Sequence, residues 1–122
     1  MTDSNFIDSS IWLEYFFNNN YGSILENNIS MISILSLFEV KKKLMKEKAN
    51  DLEIAKCLGF MKNRSIIIPV SIEIAENAAS ISQKKSIPAI DSLIYASAIL
   101  KKSILITKDN DFRGLDNVKI LD

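Results

Sequence analysis

The chain has 122 residues, of which 48% are hydrophobic and 25% are charged, a balance typical of a globular domain and not of a disordered or membrane protein. Its 15 Lys and Arg residues equal its 15 Asp and Glu residues in number, which excludes a uniformly basic protein that holds nucleic acid by charge alone. Histidine is absent and Cys57 is the single cysteine, so paired-histidine catalysis is excluded and zinc lacks its usual ligands. Oxygen ligands remain, and they favour hard cations such as Mg²⁺ or Mn²⁺.

Length and composition also predict the organisation and location of the protein. We expect one domain over residues 1–122, because the length lies near the usual size of a single domain. Apolar runs are too short to span a bilayer, and the first ten residues lack the basic leader and apolar stretch of a signal peptide. These features predict a cytoplasmic protein with a reduced cysteine and no membrane association.

The hydrophobic pattern alternates between short β-branched or aromatic runs and longer segments of helical spacing. In the first half it predicts a strand at 5–7, a helix at 11–17, an Asn-rich loop at 18–28, a strand or the start of a helix at 29–32, and helices at 33–48 and 51–62. In the second half it predicts a buried strand at 65–70, two helical segments separated by Pro88, and strands at 103–107 and 118–121. This alternation predicts an α/β sandwich with a mainly parallel sheet, whose ligands bind beyond the carboxyl ends of the strands.

Acidic residues follow two of the predicted strands. Asp8 comes directly after the first strand, and Asp109 and Asp111 come just after the strand at 103–107. Each position has an ordinary structural explanation as well, since Asp8 can cap the following helix and Asp-Asn-Asp is common in turns. Their shared position after strands nevertheless indicates a ligand site at that edge of the sheet.

Two further acids lie within predicted helices. Glu39 is surrounded by apolar residues in the segment 34–40, where an isolated carboxylate is costly and a buried ion pair with a lysine is the alternative. Asp91 lies in the first turn after Pro88, where an acid also stabilises a helix N-terminus. Carboxylates brought together repel one another unless a cation neutralises them. Together the acids therefore predict an Mg²⁺ or Mn²⁺ site at which metal-activated water attacks a phosphodiester.

Four segments, in this order and at these separations, resemble the PIN-domain nucleases, and among them the VapC-type toxins of toxin–antitoxin pairs. They are Phe-Ile-Asp-Ser-Ser at 6–10, Ser-Ile-Leu-Ser-Leu-Phe-Glu-Val at 33–40, Ile-Pro-Ala-Ile-Asp-Ser-Leu-Ile-Tyr-Ala-Ser-Ala at 87–98, and Leu-Ile-Thr-Lys-Asp-Asn-Asp-Phe at 105–112. The resemblance implies a three-layer α/β/α sandwich, an acidic pocket that binds Mg²⁺ or Mn²⁺, and endoribonuclease activity on single-stranded RNA.

Matching position by position, the resemblance implies that Asp8, Glu39 and Asp91 are the first three acids of the family's catalytic quartet. Asp109 and Asp111 both fit the fourth, and Asp109 is favoured, with Asp111 as a supporting or alternative metal ligand.

Several other residues are expected to assist this site. Hydroxyl groups of Ser9, Ser10 and Thr107 are expected to orient carboxylates or water. Lys108 and Arg113, which flank the fourth segment, and Lys42, in a lysine-rich stretch, are candidate phosphate contacts, the alternative being a solvated surface. The toxin class further implies a cognate antitoxin that covers the pocket, and a homodimer.

Other functions compete with the toxin hypothesis. One is a catalytically silent PIN-like module that binds RNA or protein, although retention of every expected acid argues against it. Another is an RNA-processing nuclease of the same fold. A phosphoacceptor signalling domain would need an acid at the end of its central strand, and the segment 66–71 contains none.

Overall fold

The computed structural model describes residues 4–122, which form a parallel sheet between two layers of helices. The strands are β1 (Asn5–Ile7), β2 (Ser30–Ser33), β3 (Ser65–Ile68), β4 (Ile104–Thr107) and β5 (Val118–Ile120). The helices are α1 (Ser9–Asn18), α2 (Gly22–Glu26), α3 (Ile34–Lys46), α4 (Asp51–Asn63), α5 (Ile72–Lys85) and α6 (Ala89–Leu100). Within residues 4–122, none of these helices combines the length and apolar character needed to cross a membrane.

The two helical layers pack against opposite faces of the sheet because successive side chains of a strand point to opposite sides. Phe6 and Leu105 pack with apolar residues of α5 and α6. Their neighbours Ile7 and Ile106 pack on the other face, against apolar residues of α1, α2, α3 and α4. The predicted three-layer α/β/α sandwich is therefore confirmed.

The strand order is β3-β2-β1-β4-β5, and every neighbouring pair is parallel. From β1 the chain builds outward through β2 and β3, and then returns to place β4 on the other side of β1. The order thus reverses between β1 and β4, and such a reversal opens a crevice at the carboxyl ends of the two strands. Ile7 pairs with Ile106, so Asp8 and Thr107 follow at the same edge of the sheet.

The turn between α5 and α6 positions the start of α6 at this crevice. Ser86 adopts the left-handed conformation at the end of α5, with φ of 57°, and Pro88 precedes the first residue of α6. The carbonyl of Ile87 accepts hydrogen bonds from the hydroxyls of Ser82 and Ser92, at 2.7 and 3.2 Å. Asp91 consequently lies in the first turn of α6.

Two parts of the sequence-based fold prediction were wrong. The segment 18–28 is not wholly a loop, because it contains α2. Leu25 of α2 is buried in the core formed with α1, α3 and α4. The run at 65–70 is not a buried strand, because β3 ends at Ile68, forms an edge of the sheet and leaves Ile66 57% exposed. The uncertain segment at 29–32 is a strand, β2.

The start of α4 provides a direct test of local helix stability. The Asn50 side chain accepts the N–H of Glu53 at 2.8 Å, and the Glu53 side chain accepts the N–H of Asn50 at 2.9 Å, which is a capping box. We expect Asn50→Ala to lower the free energy of unfolding by about 0.5–2 kcal/mol in urea titrations. Asn63→Ala, at the last residue of the same helix, is the matched control and should change it less; equal effects would show that the cap contributes nothing.

Candidate acidic metal site

Asp8 is buried at the carboxyl end of β1 and also caps α1. Its Oδ2 accepts hydrogen bonds from the hydroxyls of Ser10 and Thr107, at 2.7 and 2.8 Å, and from the N–H of Ser10 at 3.4 Å. Burial raises the pKa of Asp8 above its ordinary value, and these hydrogen bonds oppose the rise. Asp8 therefore caps α1, and its carboxylate lies at the edge of the sheet where the sequence predicts a ligand site.

Glu39 reaches the same region from α3. Its Oε1 accepts a hydrogen bond of 2.6 Å from the Ser9 hydroxyl, and no ion pair involves Glu39 among residues 4–122. Burial raises the pKa of Glu39, and the negative charges of Asp8 and Asp109 add to the rise. The carboxylate that looked costly in an apolar helix is therefore held by a serine hydroxyl rather than by a lysine.

Three aspartates converge beside these two acids. Asp91, Asp109 and Asp111 each offer a carboxylate oxygen, and the three oxygens lie within 4.8 Å of one another. Asp109 lies between β4 and a 3-10 turn at Asn110–Phe112. Its Oδ1 accepts the N–H of Asp111 at 2.9 Å and so caps the start of that turn. The turn geometry of Asp-Asn-Asp is thus what brings both Asp109 and Asp111 to Asp91.

Thr107 connects the segments after β1 and β4, which carry Asp8, Asp109 and Asp111. Besides its bond to Asp8, its Oγ1 accepts the N–H of Asp109 at 2.9 Å and lies 3.2 Å from the Ser10 hydroxyl oxygen. The Ser10 hydroxyl in turn accepts the N–H of Lys108 at 3.0 Å. The loop after β1 and the loop after β4 are therefore joined by a network of short hydrogen bonds.

The electrostatics of the cluster favour a bound cation. Burial, the charges of Asp109 and Asp8 and a hydrogen bond with Asp111 together raise the pKa of Asp91 from 3.8 to about 7, with burial the largest cause. Near neutral pH, a proton on Asp91 relieves part of the repulsion. A hard divalent cation would relieve it more completely, and the oxygen-only donor set of Asp91, Asp109 and Asp111 fits such an ion.

The sequence pattern of the PIN domain family matches residues 6–118. The chain belongs to the PIN domain family. The membership predicted from four short segments is thus confirmed.

Solved structures share the fold of this PIN domain over nearly its whole length. A toxin–antitoxin complex from Klebsiella pneumoniae is 25% identical, with a TM-score of 0.81 over 95% of this chain and 96% of that chain. VapBC2 from Rickettsia felis, bound to a DNA fragment from its promoter, is 21% identical, with a TM-score of 0.76 over 97% and 98%. VapC20 from Mycobacterium tuberculosis, a sarcin-ricin loop cleaving toxin, is 17% identical, with a TM-score of 0.76 over 98% and 100%. Among curated proteins no significant match is found.

The three basic residues expected at phosphates occupy different surroundings in this PIN domain. Lys108 pairs with Glu14, with 3.2 Å between Nζ and Oε1, and Arg113 donates to the side chain of Asn110. Lys42 forms no ion pair within residues 4–122 and lines a groove that includes Glu39. Lys108 is therefore the one of the three that forms an ion pair within residues 4–122, and the charges of Lys42 and Arg113 are not neutralised in this way.

Glu14 is a neighbour of the site that sequence reasoning missed. Its carboxylate binds Lys108 and also accepts the amide groups of Asn18 and Asn20, at 3.1 and 2.6 Å. Lys108 immediately precedes Asp109, so Glu14 restrains the loop that carries two of the acids. It was missed because it is far from Lys108 in sequence and no local pattern distinguishes it from any other helical acid.

Proposed function

We propose that this PIN domain is an Mg²⁺- or Mn²⁺-dependent endoribonuclease that cleaves single-stranded RNA and acts in the cytoplasm as the toxin of a toxin–antitoxin pair. The convergence of Asp91, Asp109 and Asp111, with oxygens within 4.8 Å at the crevice between β1 and β4, is the observation that carries the proposal. Family membership and the fold shared with toxin–antitoxin proteins support it.

In this proposal the five acids have two different roles. Asp91, Asp109 and Asp111 hold the cation, and Asp8 and Glu39 complete the negative pocket around it. When bound, the cation supplies activation of water and neutralisation of charge on the phosphodiester. Ser10 and Thr107 hold the Asp8 carboxylate, and Ser9 holds Oε1 of Glu39, which leaves Glu39 placed to orient the attacking water.

The proposed partner is a cognate antitoxin that covers the acidic pocket, and the active toxin is proposed to be a homodimer. Support for the antitoxin comes from the VapBC and other toxin–antitoxin complexes that share this fold. A protein that covers the pocket would exclude both the cation and the RNA, which makes inhibition a direct consequence of binding.

The test is cleavage of a panel of single-stranded RNAs by the purified protein with Mg²⁺, with Mn²⁺ and with EDTA. Duplexes and single-stranded DNAs of the same sequences serve as controls. We expect cleavage of single-stranded RNA, loss of cleavage in EDTA, and recovery when excess Mg²⁺ is added. If no RNA is cleaved and calorimetry detects no metal binding, the chain is instead a silent binding module.

A further inference from the structure

A groove follows α3 away from the acidic cluster. Ser9 and Glu39 line one part of it, Leu13 and Ile90 form walls, and its volume is about 350 Å³. A second surface depression of about 590 Å³ is lined by residues of α3 alone. The two share Phe38, Lys42 and Lys46, so they form one continuous surface, here named the α3 groove.

Phe38 is the aromatic residue of the α3 groove, which also contains the exposed side chain of Met45. It precedes Glu39 in the chain, yet its aromatic side chain is 57% exposed rather than packed in the core. The Lys42 ammonium lies 5.8 Å from the centre of the Phe38 ring, within the range of a cation–π interaction. The ring therefore presents an accessible aromatic surface in the same groove as Glu39.

Positive charge in the α3 groove lies in line with this ring. Phe38, Lys42 and Lys46 are spaced four residues apart on α3, which places them in one row with about 5–6 Å between neighbouring Cβ atoms. Lys43 is paired with Glu47 at 3.4 Å, whereas Lys42 and Lys46 form no ion pair in the described part of the chain. An aromatic ring followed by a row of unpaired cations is the combination that binds single-stranded nucleic acid.

We propose that the α3 groove binds the RNA next to the cleaved bond, with an unpaired base stacked on Phe38 and backbone phosphates on Lys42 and Lys46. This inference rests on the proposed nuclease function and deepens it by assigning a determinant of single-strand specificity. A base inside a duplex is stacked between its neighbours and cannot offer its face to Phe38. Charge favours RNA over a second copy of the chain, since two copies joined through this row would bring lysines against lysines.

The experiment compares wild type with Phe38→Ala and Phe38→Trp on a single-stranded 12-nucleotide RNA whose cleaved bond has been mapped. We expect Phe38→Ala to raise KM about tenfold with little change in kcat, and Phe38→Trp to restore KM. Phe17→Ala removes another exposed aromatic side chain, on α1, and should leave KM unchanged.

A scan of single abasic sites along the same RNA identifies the stacked base. An abasic site at one position near the cleaved bond should raise the KM of wild type about tenfold. The same abasic site should leave the KM of Phe38→Ala unchanged. Lys42→Gln with Lys46→Gln should reduce the slope of log KM against log salt by about 0.7 per lost phosphate contact. Lys56→Gln, exposed on α4, is the matched control.

Two results would overturn the α3 groove assignment while leaving the nuclease intact. One is an unchanged KM and abasic profile in Phe38→Ala. The other is ultracentrifugation showing that Phe38→Ala separates a dimer and that KM recovers at concentrations where the variant dimerises, which would assign the groove to a second copy. If wild type cleaves no RNA, fluorescence anisotropy with single-stranded 12-nucleotide RNAs drawn from the cleavage panel decides: binding lost in Phe38→Ala supports the groove and rejects the nuclease, and no binding rejects both.

Discussion

Asp91→Asn is expected to reduce RNA cleavage at least about a thousandfold while the protein stays folded. The substitution keeps the size of the side chain but removes a charge that the proposed cation needs, and a loss of roughly 4 kcal/mol in transition-state stabilisation corresponds to this factor. The measurement is the single-turnover cleavage rate at saturating Mg²⁺, with circular dichroism to verify the fold.

Two further variants sharpen this comparison. Asp8→Asn should lose activity to a similar degree, because Asp8 lies in the same acidic group and its charge raises the pKa of Asp91. Asp116→Asn removes an exposed acid in the loop before β5 and should cleave at the wild-type rate. An Asp91→Asn protein as active as Asp116→Asn would remove Asp91 from the site.

Without metal, the protein is expected to become less stable as the pH rises from about 4 to about 7. Burial and neighbouring charges raise the pKa of Asp91 to about 7 in the folded protein, against an ordinary value of 3.8. The folded state therefore binds a proton that the unfolded state has released, so this stabilisation is complete at low pH and is lost as the pH rises through the folded pKa. Asp8 and Glu39, whose pKa values are also raised, act in the same direction.

The expected size of this change is about 1–2 kcal/mol, because Asp91 is only half-buried and solvent screens part of its interaction with the other acids. Urea titrations in EDTA at pH 5 and pH 8 measure it. Asp91→Asn should reduce the dependence and raise stability at pH 8, and Mg²⁺ should stabilise wild type more at pH 8 than at pH 5, since it competes with the proton. A wild type that is more stable at pH 8 in EDTA would contradict the raised pKa.

Local patterns predicted much of the fold because its elements are individually typical. The two apolar residues Phe6 and Ile7 predicted β1, and the break at Pro88 separated α5 from α6 as expected. The errors arose where neighbours in space outweigh local pattern. The side chain of Leu25 is buried only because residues of the sheet and of the neighbouring helices surround it, and Ile66 of the edge strand β3 is exposed because no helix covers its side chain.

The proposed site was predictable to the extent that its residues lie at element boundaries. Asp8 and Asp109 follow strands that end at one edge of a parallel sheet, so their proximity follows from the fold class. The sequence predicted that Ser9, Ser10 and Thr107 would orient carboxylates or water, but it did not predict which hydroxyl would bind which acid. Ser9 binds Glu39 because α3 packs beside the start of α1, and Thr107 binds Asp8 because β4 pairs with β1.

By itself the sequence determined the chemistry open to this protein. A chain without histidine and with a single cysteine can offer a hard cation only oxygen ligands, and consecutive apolar residues in short strands, such as Phe6 and Ile7, require helices on both faces of the sheet. Only the tertiary structure decided which lysine side chains form ion pairs and which do not. It pairs Lys108 with Glu14 and Lys43 with Glu47, and it leaves Lys42 and Lys46 beside an exposed Phe38. Ion pairing and exposure depend on which elements meet in space, and the packing of the helices against the sheet determines those neighbours.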